Sequence, residues 1–384
     1  ARGRAIRIGC GHQCLPTHRA RLAHGGSPRK PWHFRRTCRG ARVASGFALT
    51  WSYRAPWWLP GGNLQTIYAA KGFRRLTDAA PVWQRQRWET PDNDFIDVDW
   101  LRPFAAAGDI RKNEIYTNTR NPLLALFHGL EGSSASHYAI AFAHEVRKIG
   151  WQMAVPHFRG CSGDMNRTPR AYHSGDYQEI DWILKRFQSM HEGPVVAVGI
   201  SLGGNALMKW AGEVKTAAHK TVNAIASVCA PLDLTASGHA IDSGFNRIAY
   251  AKMFLDSMKP RAMAKLAQFP NLFDAQAMQS VTTLFEFDDI FTAPLHGFEN
   301  ATDYWRRASA KPVLGDIALP AWVINPQNDP FVPQSCLPNQ DEVAPCVELC
   351  QPKDGGHVGF TSGAFPGTLQ ALPQAVLQWF GGKI

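Results

Sequence analysis

Residues 195–205 read VVAVGISLGGN, and the reading of this stretch decides the fold. Val195–Val198 is a short run of small and β-branched apolar residues, the composition of a strand buried on both faces. Ser201 then stands between Gly199 and Gly203, just ahead of the helix-forming run NALMKWAGEV (205–214). A serine mounted on a sharp strand-to-helix corner has strained backbone angles, so the residues two before and two after it must be small. The helix behind it aims its first N–H groups and its positive end at the serine oxygen. In a chain with 33 glycines the pentapeptide alone is a weak signal; the flanking strand and helix give it weight.

Outward from this corner, strands and helices alternate. LLALFHGL (123–130) reads as a strand ending in a glycine turn, YAIAFAHEVRKIG (138–150) as a helix and WQMAVPHF (151–158) as a strand. DYQEIDWILKRFQSM (176–190) is an amphipathic helix, PVVAVGIS (194–201) the next strand and AIASVCAP (224–231) another. This predicts an α/β fold: a mostly parallel sheet with helices on both faces. Upstream, VWQRQRWET (82–90) and DFIDVDWL (94–101) predict an antiparallel hairpin, followed by an exposed loop of about 15–20 residues. WSYRAPWWLPGGNLQTIYAA (51–70) reads as an aromatic, proline-rich wrap.

The alternation breaks over 235–315, where FNRIAYAKMFLDSM, MQSVTTLFEF and ATDYWRRASA each read as helix. The sheet resumes at PAWVINPQ (320–327) and VELCQP (347–352), and PQAVLQWF (373–380) closes the chain as a helix. The interrupted stretch is predicted as a helical cap inserted before the penultimate strand of one domain, 47–384.

Of the chain's 41 Lys and Arg, eleven lie in residues 1–46, which hold no acid; 30 remain against all 31 Asp and Glu. The net charge of +10 therefore describes an arm, and the body is close to neutral. The arm has no hydrophobic periodicity and reads as disordered. We read it as an over-extended gene start, with translation beginning near Val43; a targeting peptide and a nucleic-acid-binding arm are the alternatives. No nucleic-acid partner is expected of the body. No apolar run approaches 18 residues, so no transmembrane segment is expected, and membrane contact is limited to a peripheral one through the cap. Cys10, His12, Cys14 and His18 match no zinc spacing, and Cys346 and Cys350 match no redox pair. Reduced cysteines, no metal and a cytoplasmic location are expected.

A serine hydroxyl needs a base, and the base needs an orienting acid. In a sheet of this kind the acid follows the nucleophile and the histidine comes last. Four histidines follow Ser201. His219, His239 and His296 lie in or beside helical segments, whereas His357 lies in DGGHVGF, on a glycine-rich loop after a strand. Asp329 in NPQNDPFVP follows the PAWVIN strand at its C-terminal end, where catalytic groups collect in a parallel sheet. Asp233 in APLDL is the second candidate for the acid. The turn His128-Gly129-Leu130-Glu131-Gly132 follows the LLALF strand, where an oxyanion-binding loop is expected. The backbone N–H groups of Leu130 and Leu202 are the expected donors.

WWLPGGNLQTIYA, LFHGLEGSSASHYA, FRGCSGDMNR, YHSGDYQEIDW, VGISLGGNALMKW, NDPFVP and GGHVGF together give the body a close resemblance to the YheT-like branch of the α/β-hydrolase superfamily, a group of predicted serine hydrolases. The resemblance covers residues 50–384. It implies the α/β-hydrolase fold, with Ser201 as nucleophile, Asp329 as acid and His357 as base. It also implies carboxylic esters as substrates, medium-chain acyl and glycerolipid esters among them, and no cofactor. Two departures stand out: Asn328-Asp329-Pro330 replaces Asp-Asp-Pro, and His157 replaces the Asn before Phe-Arg-Gly, which bears on hydrogen bonding near Arg159. The expected activity is hydrolysis of short- to medium-chain esters through an acyl-enzyme. Acyl transfer, or lipase or phospholipase action at the same triad, is the alternative, and a non-catalytic binding module the more distant one.

Overall fold

The computed structural model describes residues 51–72, 80–102 and 120–384. The readings of the 1–46 arm, with Cys10, His12, Cys14 and His18, lie outside these residues, as does nearly all of the loop after residue 101. The described residues belong to one compact unit, Leu49–Ile384.

Among the described residues eight strands form a single sheet in the order β1-β2-β4-β3-β5-β6-β7-β8. β1 (Trp83–Glu89) and β2 (Phe95–Leu101) form the expected hairpin, and β2 runs antiparallel to β4 (Gln152–Pro156). β3 (Leu123–Phe127), β4, β5 (Val195–Ile200), β6 (Ala224–Val228), β7 (Ala321–Ile324) and β8 (Val347–Cys350) are mutually parallel. Every residue of β3, β5, β6 and β7 is buried, as the unbroken apolar runs require. One face is covered by α3 (Tyr177–Met190) and α4 (Leu202–Val214), the other by α2 (His137–Lys148) and α12 (Ala371–Gly381).

The polar positions of β2 are not solvent-facing. Asp97 and Asp99 are buried, and the register sets Arg87 and Arg85 of β1 opposite them in bidentate ion pairs. His157 belongs to this cluster: its Nε2 lies 2.8 Å from Asp99 Oδ2 and its Nδ1 3.3 Å from Cys161 O. Arg159 is held instead by Asp92, Asp94 and Glu179, so the His157 departure leaves its ion pairs intact.

β3 connects through α2 to one side of the sheet, and β5 connects through α4 to the other. The two strands are adjacent, which makes their carboxyl ends the switch point where such sheets open a crevice. Ser201 and the Gly129–Leu130 turn both follow these ends.

Between β6 and β7 the chain forms α5 (Leu234–Ile241), α6 (Gly244–Asn246), α7 (Lys252–Gln268), α8 (Ala275–Ser280), α9 (Leu284–Phe287), α10 (Ala293–Leu295) and α11 (Ala301–Ala308), with no strand among the described residues. These carry small cores of their own, one of them built on Leu255, Met278, Leu284, Phe287 and Phe291. MQSVTTLFEF, expected as one helix, is two. Thr283 Oγ1 accepts the Glu286 N–H, while the Glu286 carboxylate takes the N–H groups of Thr282 and Thr283. This capping box starts α9 and so ends α8.

Candidate active site

The corner after β5 has the strain expected of it. Ser201 has φ 52° and ψ −119°, a conformation costing about 1–3 kcal/mol in an ordinary residue. It is held by the Ser201 N–H donating to Val228 O (2.8 Å) and by Ser201 O accepting from Gly204 and Asn205. A Cβ on Gly199 would collide with Gly203 O, and one on Gly203 would lie 2.5 Å from Phe127 O. Steric crowding thus enforces glycine at both positions.

The structure brings the three proposed side chains together. His357 Nε2 lies 2.9 Å from Ser201 Oγ, and His357 Nδ1 lies 2.9 Å from Asp329 Oδ2. Asp329 Oδ1 accepts the Phe331 N–H at 2.8 Å, which fixes the carboxylate plane. The Phe331 ring packs on the imidazole at 4.2 Å between centroids. Asp233 is not part of this group: its carboxylate caps α5 by accepting the Ala236 N–H. His219 lies against Ala318 O, His239 packs against Trp305 and His296 against His173.

The turn after β3 is braced from three sides. Gly129 N–H donates to Tyr138 Oη (2.9 Å) and Glu131 N–H to Tyr172 Oη (3.1 Å). The Leu130 N–H between them has no partner among the described residues, nor has the Leu202 N–H at the start of α4. Both residues line the cavity that holds Ser201. His128 fixes the turn from below. Its Nε2 accepts the Phe158 N–H at 3.1 Å, so its Nδ1 carries the proton and donates to Gly129 O at 2.8 Å.

Burial, with the neighbouring His157 charge, pushes the His128 imidazole down to about 3. A histidine depressed in the folded state takes up protons on unfolding between that value and its usual one near 6.5. The stability it supports is present above about pH 6.5 and is lost as pH falls toward 3, by up to about 1.4 kcal/mol per pH unit. In urea unfolding, the gap between wild type and His128→Gln should therefore narrow steadily from pH 7 to pH 5. A gap constant across that range would contradict this origin.

Sequence reasoning passed over the residues that join the Asp329 and His357 loops. In the wrap, α1 (Gly62–Ile67) places Gln65 Oε1 to accept from Gly355 N–H (2.9 Å) and from Asn328 Nδ2 (3.1 Å). Thr66 Oγ1 accepts the His357 N–H at 2.8 Å. Gly62 packs so closely on Asn328 that a Cβ would collide with its carbonyl. Replacing Gln65 by Met should leave the buried Gly355 N–H without a partner, a loss of about 1–3 kcal/mol. Because Gln65 aligns both loops, the variant should also lose about tenfold or more in ester hydrolysis at temperatures where it remains folded, read from steady-state kinetics beside a thermal melt. Asn205 was likewise missed: it donates to Ser174 O and Ala308 O and accepts from Ala310 N–H, tying α4 to the end of the cap.

Among the described residues one trio of candidate metal ligands gathers, Cys229, Asp329 and His357, with ligand atoms within 4.8 Å of one another. Two of these are already engaged with each other and with Ser201 and Phe331. Burial holds the Cys229 thiol well above its usual range and hence protonated. Cys161, Cys336, Cys346 and Cys350 are also free thiols. No helix of the described residues is long and apolar enough to cross a membrane.

A strained serine at the carboxyl end of a central parallel strand, in line with a histidine and an acid from later strands, defines an α/β hydrolase. Residues 122–364 match the family model described as alpha/beta hydrolase fold. The chain belongs to the α/β-hydrolase fold family and, within it, to the YheT-like branch. It is 38% identical over 320 residues to the Escherichia coli K12 protein named "Putative esterase YheT", covering 83% of this chain and 89% of that one. It is 25% identical over 323 residues to human "Phospholipase ABHD3", covering 83% and 76%. A "Monoacylglycerol lipase" of Saccharomyces cerevisiae is 27% identical over 259 residues, covering 64% and 56%.

Proposed function

We propose that the protein is a serine hydrolase that cleaves carboxylic esters by two-step acyl transfer. Its substrates on this reading are short- to medium-chain acyl esters, acylglycerols among them. His357 Nε2 takes the Ser201 proton as Oγ attacks the ester carbonyl, and Asp329 stabilises the imidazolium that forms. The Leu130 and Leu202 N–H groups receive the oxyanion; one such donor is typically worth about 2.7–4 kcal/mol. As the intermediate collapses, the imidazolium returns the proton to the departing alcohol. Water, deprotonated by the same histidine, then attacks the acyl-serine and releases the acid. The observation that carries this reading is the His357 imidazole bridging Ser201 Oγ and Asp329, at 2.9 Å on each side. The names of the relatives, an esterase and two lipid-ester hydrolases, agree with it.

Ser201 opens into a cleft of about 690 Å³, part of it open to solvent, walled by Leu234, Phe254, Leu284 and Trp305, which suits an acyl chain. p-Nitrophenyl esters from acetyl to palmitoyl should be cleaved fastest at short to medium chain length. Hydrolysis should prevail over transfer when glycerol is added as acceptor. A product dominated by transfer, or no turnover at any chain length, would overturn the proposal.

A further inference from the structure

Beyond the Ser201 cavity lies a second one of about 680 Å³, and the two share a wall of Leu130, Leu202, Met258, Asp288 and Tyr304. Both chambers expose mainly apolar surface, and Asp288 lines both. The second adds Arg159, Arg170, Arg261 and Lys265, with Glu131, to its wall. The basic groups are already spoken for. Arg159 is paired with Asp92, Asp94 and Glu179, Arg170 with Asp176 and Arg261 with Glu131, while Lys265 Nζ donates to the carbonyls of Asn166 and Thr168. Because these pairs neutralise one another, neither an anion nor a cation gains much from them. A neutral group that carries a hydroxyl on a mainly apolar body suits the chamber best, since it can pack on the apolar wall and donate to an open acceptor.

Asp288 supplies the acceptor. It sits in the shared wall, where the cap enters the turn Asp288–Thr292. Its carboxylate accepts Trp305 Nε1–H at 2.8 Å and a hydrogen bond from the Thr292 hydroxyl, and no cation pairs with it among the described residues. An ionised carboxylate has about four acceptor positions, so this one keeps capacity facing the cavity. Burial raises its pKa to about 6, which leaves it mostly ionised at neutral pH. Glu131, beside Leu130, adds a second acceptor: its Oε1 holds Tyr172 and Arg261, and its buried Oε2 has no partner.

We propose that the second chamber is the alcohol-side subsite, that it takes a neutral hydroxyl-bearing leaving group, and that Asp288 in the shared wall determines this preference by accepting a hydrogen bond from a leaving-group hydroxyl. The inference rests on the serine-hydrolase reading above. A hydroxyl donated to a charged acceptor discriminates by about ten- to hundredfold against the analogue lacking it.

Three butyrate esters of the same acyl group test this: 1-monobutyrin, n-propyl butyrate and butyrylcholine, with p-nitrophenyl butyrate as the control for the chemistry. The wild-type enzyme should favour monobutyrin over propyl butyrate by about tenfold or more in kcat/KM, and butyrylcholine should be the poorest. Asp288→Asn should reduce the monobutyrin-to-propyl ratio and Asp288→Leu should bring it near one. The ratio is the readout because a merely structural loss would depress both esters together. A wild-type ratio near one, a preference for butyrylcholine, or a ratio that neither variant alters would each overturn the inference while p-nitrophenyl butyrate is still cleaved. Failure to cleave p-nitrophenyl butyrate at all would instead overturn the reading beneath it.

Discussion

Replacing Ser201 by alanine is expected to lower kcat/KM toward p-nitrophenyl butyrate by about 10⁴-fold or more, with the fold retained. The substitution removes one oxygen and with it the acyl-enzyme route. What remains is the rate that the two amides and the pocket give to direct attack by water. The backbone should tolerate the change, because the Ser201 strain is held by main-chain hydrogen bonds to Val228, Gly204 and Asn205 and not by the hydroxyl. A thermal melt within a few degrees of wild type should accompany the loss. Activity within tenfold of wild type would remove Ser201 from the chemistry.

Asp329→Asn should cost about 10⁴-fold in kcat through a proton in the wrong place. In the native site Asp329 Oδ1 accepts the Phe331 N–H, and Oδ2 accepts from His357 Nδ1–H. On the proposed mechanism Nε2 is thus left without a proton and faces Ser201 Oγ at 2.9 Å as the base. An asparagine keeps the Phe331 contact by presenting its oxygen there, which turns its NH₂ toward His357. Nδ1 must then accept, the proton moves to Nε2, and the imidazole can no longer deprotonate the serine. Stability should change little, since the shape is conserved. Less than a tenfold loss would show that the His357–Asp329 contact does not set the tautomer.

The parts of the fold written in short-range pattern were legible in the sequence. Every residue of β3, β5 and β6 faces a covered layer, so these strands read as unbroken apolar runs; Gly199 and Gly203 stand where a Cβ has no room. The placing of His357 and Asp329 was legible because each sits on a loop at the carboxyl end of a strand that itself was readable. What was not legible depends on contacts between distant parts of the chain. Gln65 meets Gly355 across 290 positions and Thr66 meets His357 across 291, and no local period announces either. The buried Asp97 and Asp99 look like solvent-facing residues until the β1 register sets Arg87 and Arg85 against them. Asp288 resembles an ordinary cap acid, and its place in the wall between two chambers is a property of how the cap helices pack.

The most direct measurement is covalent labelling by a fluorophosphonate, followed by intact-protein and peptide mass spectrometry at neutral pH. The account predicts a single adduct on Ser201, formed at a rate that falls by at least about 10³-fold in His357→Ala, because the hydroxyl is nucleophilic only with its base in place. An adduct elsewhere, or labelling of Ser201 at the same rate with and without His357, would contradict it.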